Sequence, residues 1–504
     1  MTDVETRGGP AGPVEPPTGT TRAHWWILVV IAGAQLMVVL DSTIMIIALP
    51  SAQRSLGFSD ADRQWVVTAY TLGFGGLLLL GGRISDLVGP KKTLIVGVVG
   101  FALASAIGGA SQNTAMLIGA RGLQGMFGAL LAPSVLSILA TTFTDPRERG
   151  RAFGIYVAIA VGGAAFGLIL GGFLTQYVSW RWCLYVNLPI AAVVALGASA
   201  VIPARSGSNG VRLDIPGAIL GCGGLVALVY GLGEAATVGW SSPRVIGPLI
   251  ASAVLLAAFV FVQSRVASPL LPLRILTDRN RAGAFVTIVL AVLAMFGTFL
   301  ALTYLLQTVD GYSPLKTGVA FLPLLLVNGL TATQLSSRLM AHLRTRILVV
   351  PGLLIAAVGV ALLTRLTPDA AYATHILPAE LLLGLGLGLA LVPCISTATN
   401  RAEPRDVGVT SAMTNTSQQI GASIGTALLN TIAATAAAAY LASHARSPDV
   451  VARATVHGYA VGSAWAAGSL TLAALVAGVL IDADPGRDTV DAARTVPVEA
   501  PGAG

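Results

Sequence analysis

The sequence predicts an all-α integral membrane protein with fourteen transmembrane helices. Of its 504 residues, 55% are hydrophobic and only 11% are charged, and the mean hydropathy is +0.79. This composition is too apolar for a water-soluble chain of that length. The apolar residues also fall into runs of about 20, the helix length that spans about 30 Å of hydrocarbon. A membrane is therefore the expected solvent for most of the chain.

Fourteen apolar runs define the predicted helices. They cover residues 25–49, 65–83, 93–111, 114–139, 152–175, 183–203, 215–233, 246–264, 284–306, 318–338, 347–366, 375–398, 409–438 and 459–481. The flanking segments 1–24 and 482–504 are rich in Pro, Gly, Thr and Asp and lack apolar periodicity. Such composition predicts disordered tails.

The distribution of basic residues predicts the orientation. If residue 1 is cytoplasmic, the inner loops hold more than twice as many Lys and Arg residues as the outer loops. The positive-inside rule then places both termini in the cytoplasm of a multi-pass plasma membrane protein, in bacteria the inner membrane. The basic residues are scattered, so no nucleic-acid partner is expected. Cys183, Cys222 and Cys394 lie in separate apolar runs without metal-ligand spacing, so neither a metal site nor a bound cofactor is predicted.

An internal repeat divides the chain. The loop from Gly82 to Lys92 between helices two and three matches in spacing the basic loop from Ser337 to Arg346 between helices ten and eleven. Two such loops predict two six-helix bundles, at 25–204 and 283–481, with two further helices inserted within 205–282. Repeats of this kind meet around a cavity at the membrane midplane, which is the architecture of a transporter.

Several ordered motifs resemble the major facilitator superfamily, and within it the fourteen-helix drug/proton antiporter branch. The resemblance runs from Trp25 to Asp482. It rests on Leu40-Asp41-Ser-Thr-Ile-Met-Ile-Ile-Ala-Leu-Pro50, the Gly82 to Lys92 loop, Arg121-Gly-Leu-Gln-Gly125, a glycine ladder in helix five, Trp180-Arg-Trp-Cys-Leu-Tyr-Val-Asn-Leu-Pro189, Tyr304-Leu-Leu-Gln307 and Gly311-Tyr-Ser-Pro314. The resemblance implies the major facilitator fold, a small hydrophobic substrate and coupling to the proton gradient.

Asp41 and Arg121 are the candidate proton-coupling residues. Each is an ionisable residue within an apolar run, where a charge costs about 3 kcal/mol even on lenient insertion scales and so requires a partner or a water-filled cavity. Both lie at similar depth, and the resemblance implies that their helices line the cavity. Two interpretations follow. Asp41 binds the transported proton while Arg121 modulates its affinity, or the two form a permanent structural salt bridge.

The loop between helices two and three is the candidate gate. Its members are Gly82, Asp86, Gly89, Lys91 and Lys92. The glycines permit a tight turn, and a carboxylate can dock at the N-terminus of a helix from the opposite half, which the resemblance places near Gly408. The simpler alternative is a basic loop that only sets topology.

Helix five carries glycines that resemble the superfamily's antiporter signature. These are Gly154, Gly163, Gly167, Gly171 and Gly172. Leu168 stands where the signature has proline, so the kink that proline would cause is not expected. The glycines also suit ordinary close helix packing.

Two enzyme-like patterns fail on context. Gly421-Ala-Ser423-Ile-Gly425 matches a hydrolase nucleophile turn, but it lies in a membrane-spanning run without a preceding strand or a histidine partner. Gly384-Leu-Gly-Leu-Gly388 is likewise within a helix-length run.

The sequence predicts a transporter and not an enzyme. Since no Walker A sequence is present, proton-driven export of small hydrophobic drugs or antibiotics is the leading hypothesis. The alternatives are a proton-coupled importer and a membrane sensor that does not transport. Glu234 and Glu380 are the next candidate proton carriers if Asp41 is not one. A monomer is expected, and the sequence does not identify the substrate.

Overall fold

A computed structural model describes residues 20–143, 145–204, 213–266, 269–340, 342–368, 370–399, 407–444 and 447–482. Within these residues, fourteen helices are long and apolar enough to cross a membrane, which confirms the predicted number. We label them α1 to α14 in chain order. The tails predicted at 1–24 and 482–504 fall almost wholly outside the described residues, although α1 already begins at Thr20.

The N-terminal half contains six helices, and the first, second, fourth and fifth of them are longer than the predicted apolar runs. They are α1 (Thr20–Leu56), α2 (Asp60–Val88), α3 (Pro90–Gly109), α4 (Thr114–Thr142), α5 (Pro146–Tyr177) and α6 (Trp182–Tyr185 continued by Asn187–Val201). A polar cap accompanies the early start of α2, because the Ser59 side chain accepts a hydrogen bond from the Asp62 amide in the first turn. Asn113 caps α4 at its predicted start, Thr114.

The inserted helices and the C-terminal half follow in the predicted order. The inserted pair is α7 (Ile215–Val238) and α8 (Pro243–Gln263), and a short turn at Arg274–Thr277 precedes α9. The C-terminal helices are α9 (Arg279–Tyr304, then a π-helical turn Leu305–Val309), α10 (Pro314–Ala320, Leu322–Leu330, a π-helical stretch Thr331–Ser336, and Ser337–Leu339), α11 (Thr345–Leu362, then Leu363–Arg365), α12 (a π-helical turn Tyr372–Ile376, then Leu377–Thr399), α13 (Val407–Ala442) and α14 (Pro448–Leu480).

Glycines set the same close packing in both halves. In the N-terminal half, α2 and α4 approach so closely that a Cβ on Gly73 would lie 2.7 Å from the Gly122 carbonyl oxygen. In the C-terminal half, α10 and α12 repeat this contact, since a Cβ on Gly388 would lie 2.7 Å from the Asn328 carbonyl oxygen. Small residues allow such approach in membrane helices. The equivalent pairs of helices in the two halves are consistent with the internal repeat.

The helix ends define two faces of the molecule. We call the end where α1 meets α2 the Gly57 face, and the end where α2 meets α3 the Gly89 face. An even number of spans brings Thr20 and Asp482 to the Gly89 face, where the Asp482 amide donates to Asn280 Oδ1 at 2.7 Å. The positive-inside rule makes this face cytoplasmic, and that orientation stays a prediction.

Large apolar side chains cover much of the outer surface. Val193 and Leu196 on α6 are 70% and 71% exposed, and Leu475 on α14 is 62% exposed. Such exposure would be costly in water, but it matches the hydrocarbon of a bilayer. The exposed apolar surface therefore agrees with a multi-pass membrane protein.

Candidate functional site

Asp41 and Arg121 form an ion pair in the interior of the N-terminal half. Arg121 Nη1 on α4 donates to Asp41 Oδ2 on α1 at 2.5 Å. Asp41 is fully buried and Arg121 is 1% exposed. Their matched depth in antiparallel helices predicts this contact. Both side chains point into the packed interior of this half, and the expectation that their helices line the cavity stays a prediction.

Neutral side chains complete the coordination of the Asp41 carboxylate. Gln124 Nε2 and Asn187 Nδ2 donate to Asp41 Oδ1 at 2.9 and 2.8 Å. Gln124 Nε2 also donates to Ser105 Oγ at 2.7 Å, and Gln124 Oε1 accepts from Arg121 at 2.9 Å. All are buried. Helices α1, α3, α4 and α6 are therefore joined by one polar network, in which the ionised form of Asp41 is well solvated by protein groups.

Two groups on α2 contact the rest of the Arg121 guanidinium. Its Nε donates to the Val66 carbonyl oxygen at 3.1 Å, and the guanidinium carbon lies 4.4 Å from the centre of the Tyr70 ring. A cation over an aromatic face is stabilised by the ring quadrupole. Arg121 therefore links α1, α2 and α4 at one point.

The candidate gating loop is formed by the end of α2 and the start of α3. Gly89 ends α2 with φ of +98°, a conformation that favours glycine, and Pro90 starts α3. Gly82 has no such role, because it lies within α2. Lys91 Nζ donates to the Ser199 carbonyl oxygen at 2.8 Å, near the end of α6.

Asp86 is exposed on the last turn of α2, and within the described residues it forms no hydrogen bond or ion pair. Lys92 is also exposed. The helix predicted as the target of Asp86 begins at Val407 and follows segment 400–406, which lies outside the described residues. The gating role of the loop therefore stays a prediction.

The glycine ladder of α5 faces two different helices. Gly163, Gly167 and Gly171 pack on α1, where a Cβ on Gly171 would lie 2.7 Å from Ile44 Cγ1. Gly172 instead faces the other half, with Leu315 Cα of α10 at 2.6 Å from the position of a Cβ. Gly154 faces open space. The helix is continuous past Leu168, as expected without proline.

Contacts between the halves close the Gly57 face. Tyr304 on α9 donates its hydroxyl to Gln53 Oε1 on α1 at 2.6 Å, and Gln307 Nε2 donates to the Ile47 carbonyl oxygen at 3.0 Å. The Leu315 amide donates to Gln176 Oε1 at 3.3 Å. These bonds join α1 and α5 of one half to α9 and α10 of the other.

A second line of contacts joins α2 to α13 through small polar side chains. Thr71 Oγ1 lies 2.5 Å from Ser423 Oγ, and Thr68 Oγ1 lies 3.0 Å from Thr426 Oγ1. Arg63 Nε donates to Asn430 Oδ1 at 2.8 Å. Ser423 therefore serves interhelical packing, in agreement with the rejection of the hydrolase-like pattern.

Comparison with known proteins decides the family. The model of the Major Facilitator Superfamily matches residues 31–426. The chain belongs to this superfamily. It is 51% identical over 466 residues to the puromycin resistance protein pur8 of Streptomyces alboniger, covering 92% of each chain. It is 38% identical over 433 residues to the cephamycin export protein CmcT of Amycolatopsis lactamdurans, covering 85% of this chain and 89% of that protein.

A solved structure agrees with the major facilitator fold. A bacterial homologue of the human lysosomal transporter Spinster, in an inward-facing and unoccupied conformation, superposes with a TM-score of 0.65. The match covers 91% of this chain and 97% of that one at 14% sequence identity. The superfamily assignment makes the chain a transporter and not an enzyme, as the sequence predicts.

Sequence reasoning missed part of the polar network in this major facilitator protein. Gln124 and Asn187 belong to the sequence motifs, but the motifs do not predict their contacts, and Ser105 lies outside all of the motifs. The available signal was the same one that identified Asp41: a polar side chain within an apolar run needs a partner in the membrane. Ser105, Gln124 and Asn187 all meet that criterion, since each is fully buried and hydrogen-bonded.

Proposed function

We propose that the protein exports small hydrophobic antibiotics across the plasma membrane in exchange for protons. The observation that carries this proposal is the Asp41–Arg121 pair, a titratable carboxylate kept inside the membrane in a chain related to antibiotic resistance and export proteins. Membrane-embedded acids of this kind commonly belong to proton or ion pathways.

In the proposed cycle, Asp41 binds a proton and releases its contact with Arg121. In the present conformation three side chains donate to the Asp41 carboxylate. Protonation removes its charge and weakens all of these bonds. Since the network joins four helices, losing it frees the N-terminal half to adopt a second arrangement.

The proton gradient supplies enough energy for export. One charge that moves through 100 mV releases about 2.3 kcal/mol, which corresponds to roughly fifty-fold accumulation of substrate. We further propose that Asp86 gates the cycle by docking on the start of α13. We also propose that the glycines of α5 allow the two halves of the protein to slide past each other.

Puromycin is the first substrate to test, because the chain shares 51% identity with a puromycin resistance protein. Export predicts that inside-out membrane vesicles containing the full chain accumulate labelled puromycin when their lumen is acid. The same vesicles should lose it when a protonophore is added. Vesicles prepared without the chain are the control.

The direction of flux separates the alternatives. Accumulation in right-side-out vesicles under an inwardly directed proton gradient would instead identify an importer. Saturable binding without accumulation in either vesicle type would identify a sensor. Export of cephamycin or another antibiotic, with no export of puromycin, would retain the mechanism and change the substrate.

A further inference from the structure

Glu380 on α12 is a second carboxyl group buried within the membrane region. It is 1% exposed, and its Oε2 lies 3.0 Å from the hydroxyl oxygen of Tyr372. Its Oε1 has no hydrogen-bond partner among the described residues. No Lys or Arg in the described part of the chain forms an ion pair with it. Asp41, by contrast, has a cation and two amide donors.

The Tyr372 hydroxyl has two oxygen neighbours but only one hydrogen. It lies 2.6 Å from the Ala320 carbonyl oxygen on α10, the shorter of the two contacts. A carbonyl oxygen only accepts, so the Tyr372 hydroxyl donates to Ala320 whenever its hydrogen lies on that side. The 3.0 Å contact with Glu380 then needs a hydrogen from the carboxyl group. This geometry fits a neutral, protonated Glu380.

We propose that Glu380 is a second proton-binding site, occupied while the Gly57 face is closed, and that loss of its proton opens this face. An ionised Glu380 only accepts hydrogen bonds. The single Tyr372 hydrogen then turns toward the carboxylate, and the Ala320 carbonyl loses its donor. The new charge also lacks a cation and is stabilised by access to water.

The first segment of α10 connects this switch to the closed face. Ala320 ends that segment, since the helix is interrupted at Phe321 before Pro323. The segment packs directly on α5 of the other half: a Cβ on Gly172 would lie 2.7 Å from the Pro314 carbonyl oxygen. Releasing Ala320 therefore loosens the element that seals the two halves.

The loop before α10 carries two further titratable residues, Asp310 and Tyr312. Lys316 Nζ lies over the Tyr312 ring at 3.5 Å from its centre. Burial raises the pKa of Asp310 and Lys316 opposes that shift. Within the described residues, Tyr372 is the titratable side chain in direct contact with Glu380.

This inference rests on the proposed function for its biological direction. In an exporter, a proton binds from the outside after substrate leaves, and the protonated protein closes the outer face. Proton binding at Glu380 would favour that closure. The test below measures conformation without substrate, so it stands or fails independently of whether puromycin is exported.

The test is a distance measurement across the Gly57 face. Spin labels at Val178 and Ser443, exposed positions in the two halves, are introduced as cysteines in the full chain, with its three native cysteines replaced and the protein in lipid nanodiscs. We expect the distance distribution to lengthen as pH rises. Glu380→Gln, whose amide can donate to Tyr372 as the acid does, should keep the short distance at every pH. Tyr372→Phe should lose most of the pH response.

Glu148→Gln is the matched control, because Glu148 is 47% exposed at the start of α5, on the Gly89 face. The distance between its spin labels should change with pH as it does in the parent protein. A parental pH response in Glu380→Gln would overturn the proposal, as would a parental protein whose distance does not change with pH. If Glu380→Gln fails to fold, a parental pH response in the milder Tyr372→Phe variant would overturn it equally.

Discussion

At the scale of single residues, the Asp41–Arg121 pair owes its stability to mutual compensation. Removing both charges from water is costly, and the pair survives because each charge has the other and several further bonds. The Gln124 and Asn187 amides that donate to Asp41, and the Val66 carbonyl that accepts from Arg121, supply those further bonds. Losing one partner leaves the other charge buried and uncompensated.

A double-mutant cycle tests this compensation. Arg121→Met should lower the stability of the protein in detergent by about 3–5 kcal/mol, whereas Arg121→Met combined with Asp41→Asn should recover much of the loss. The measurement is the midpoint of thermal unfolding. The exposed pair Arg453–Asp449, at 3.3 Å, is the control, because Arg453→Met should change the midpoint little. Additive losses in the double variant would contradict an interacting pair.

The sequence predicts this pair but not its surroundings. An isolated charge in an apolar run demands a partner, and helix geometry gives each charge a depth, so Asp41 and Arg121 can be matched. The neutral donors cannot be matched in the same way, since many Ser, Asn and Gln residues occur in membrane helices. The burial of both side chains inside the N-terminal half also required the structure, because the rotation of each helix about its axis is set by packing.

At the scale of elements, α5 and the first segment of α10 form the contact that seals the Gly57 face. Gly172 and Gly318 supply the close approach, since a Cβ on either would fall within 3.0 Å of backbone atoms of the opposite helix. The sequence predicts the glycine ladder but not its division between two partners. That division depends on which side of α5 each glycine occupies in the folded bundle.

Gly172→Ala should therefore disturb closure while leaving the N-terminal half folded. Overpacking costs about 1–3 kcal/mol, and 1.4 kcal/mol corresponds to tenfold, so the ratio of closed to open protein should fall by roughly tenfold or more. The measurement is the distance between spin labels placed at Val178 and Ser443. Gly154→Ala is the control in the same helix, because a Cβ there meets no atom of the described residues within 4 Å. Equal distance distributions in the two variants would exclude a sealing role for Gly172.

At the scale of the whole molecule, composition and periodicity predict most of the architecture. Fourteen apolar runs and two similar loops predict two six-helix bundles and an inserted pair of helices. The even number of spans predicts that both termini lie on the same face. Helix ends were less predictable, because a polar cap such as Ser59 starts a helix before its apolar run. The closed Gly57 face was also not predictable, since one sequence serves both access states of a transporter.

The most direct test of the account is proton movement driven by substrate. Proteoliposomes with purified protein, a puromycin gradient and a pH-sensitive dye report how many protons move per puromycin. The account predicts proton movement opposite to puromycin in the parent protein and in Asp62→Asn, an exposed control, and a clearly lower ratio in Asp41→Asn. An unchanged ratio in Asp41→Asn would contradict it, and would make the Asp41–Arg121 pair a structural salt bridge with the proton carried elsewhere.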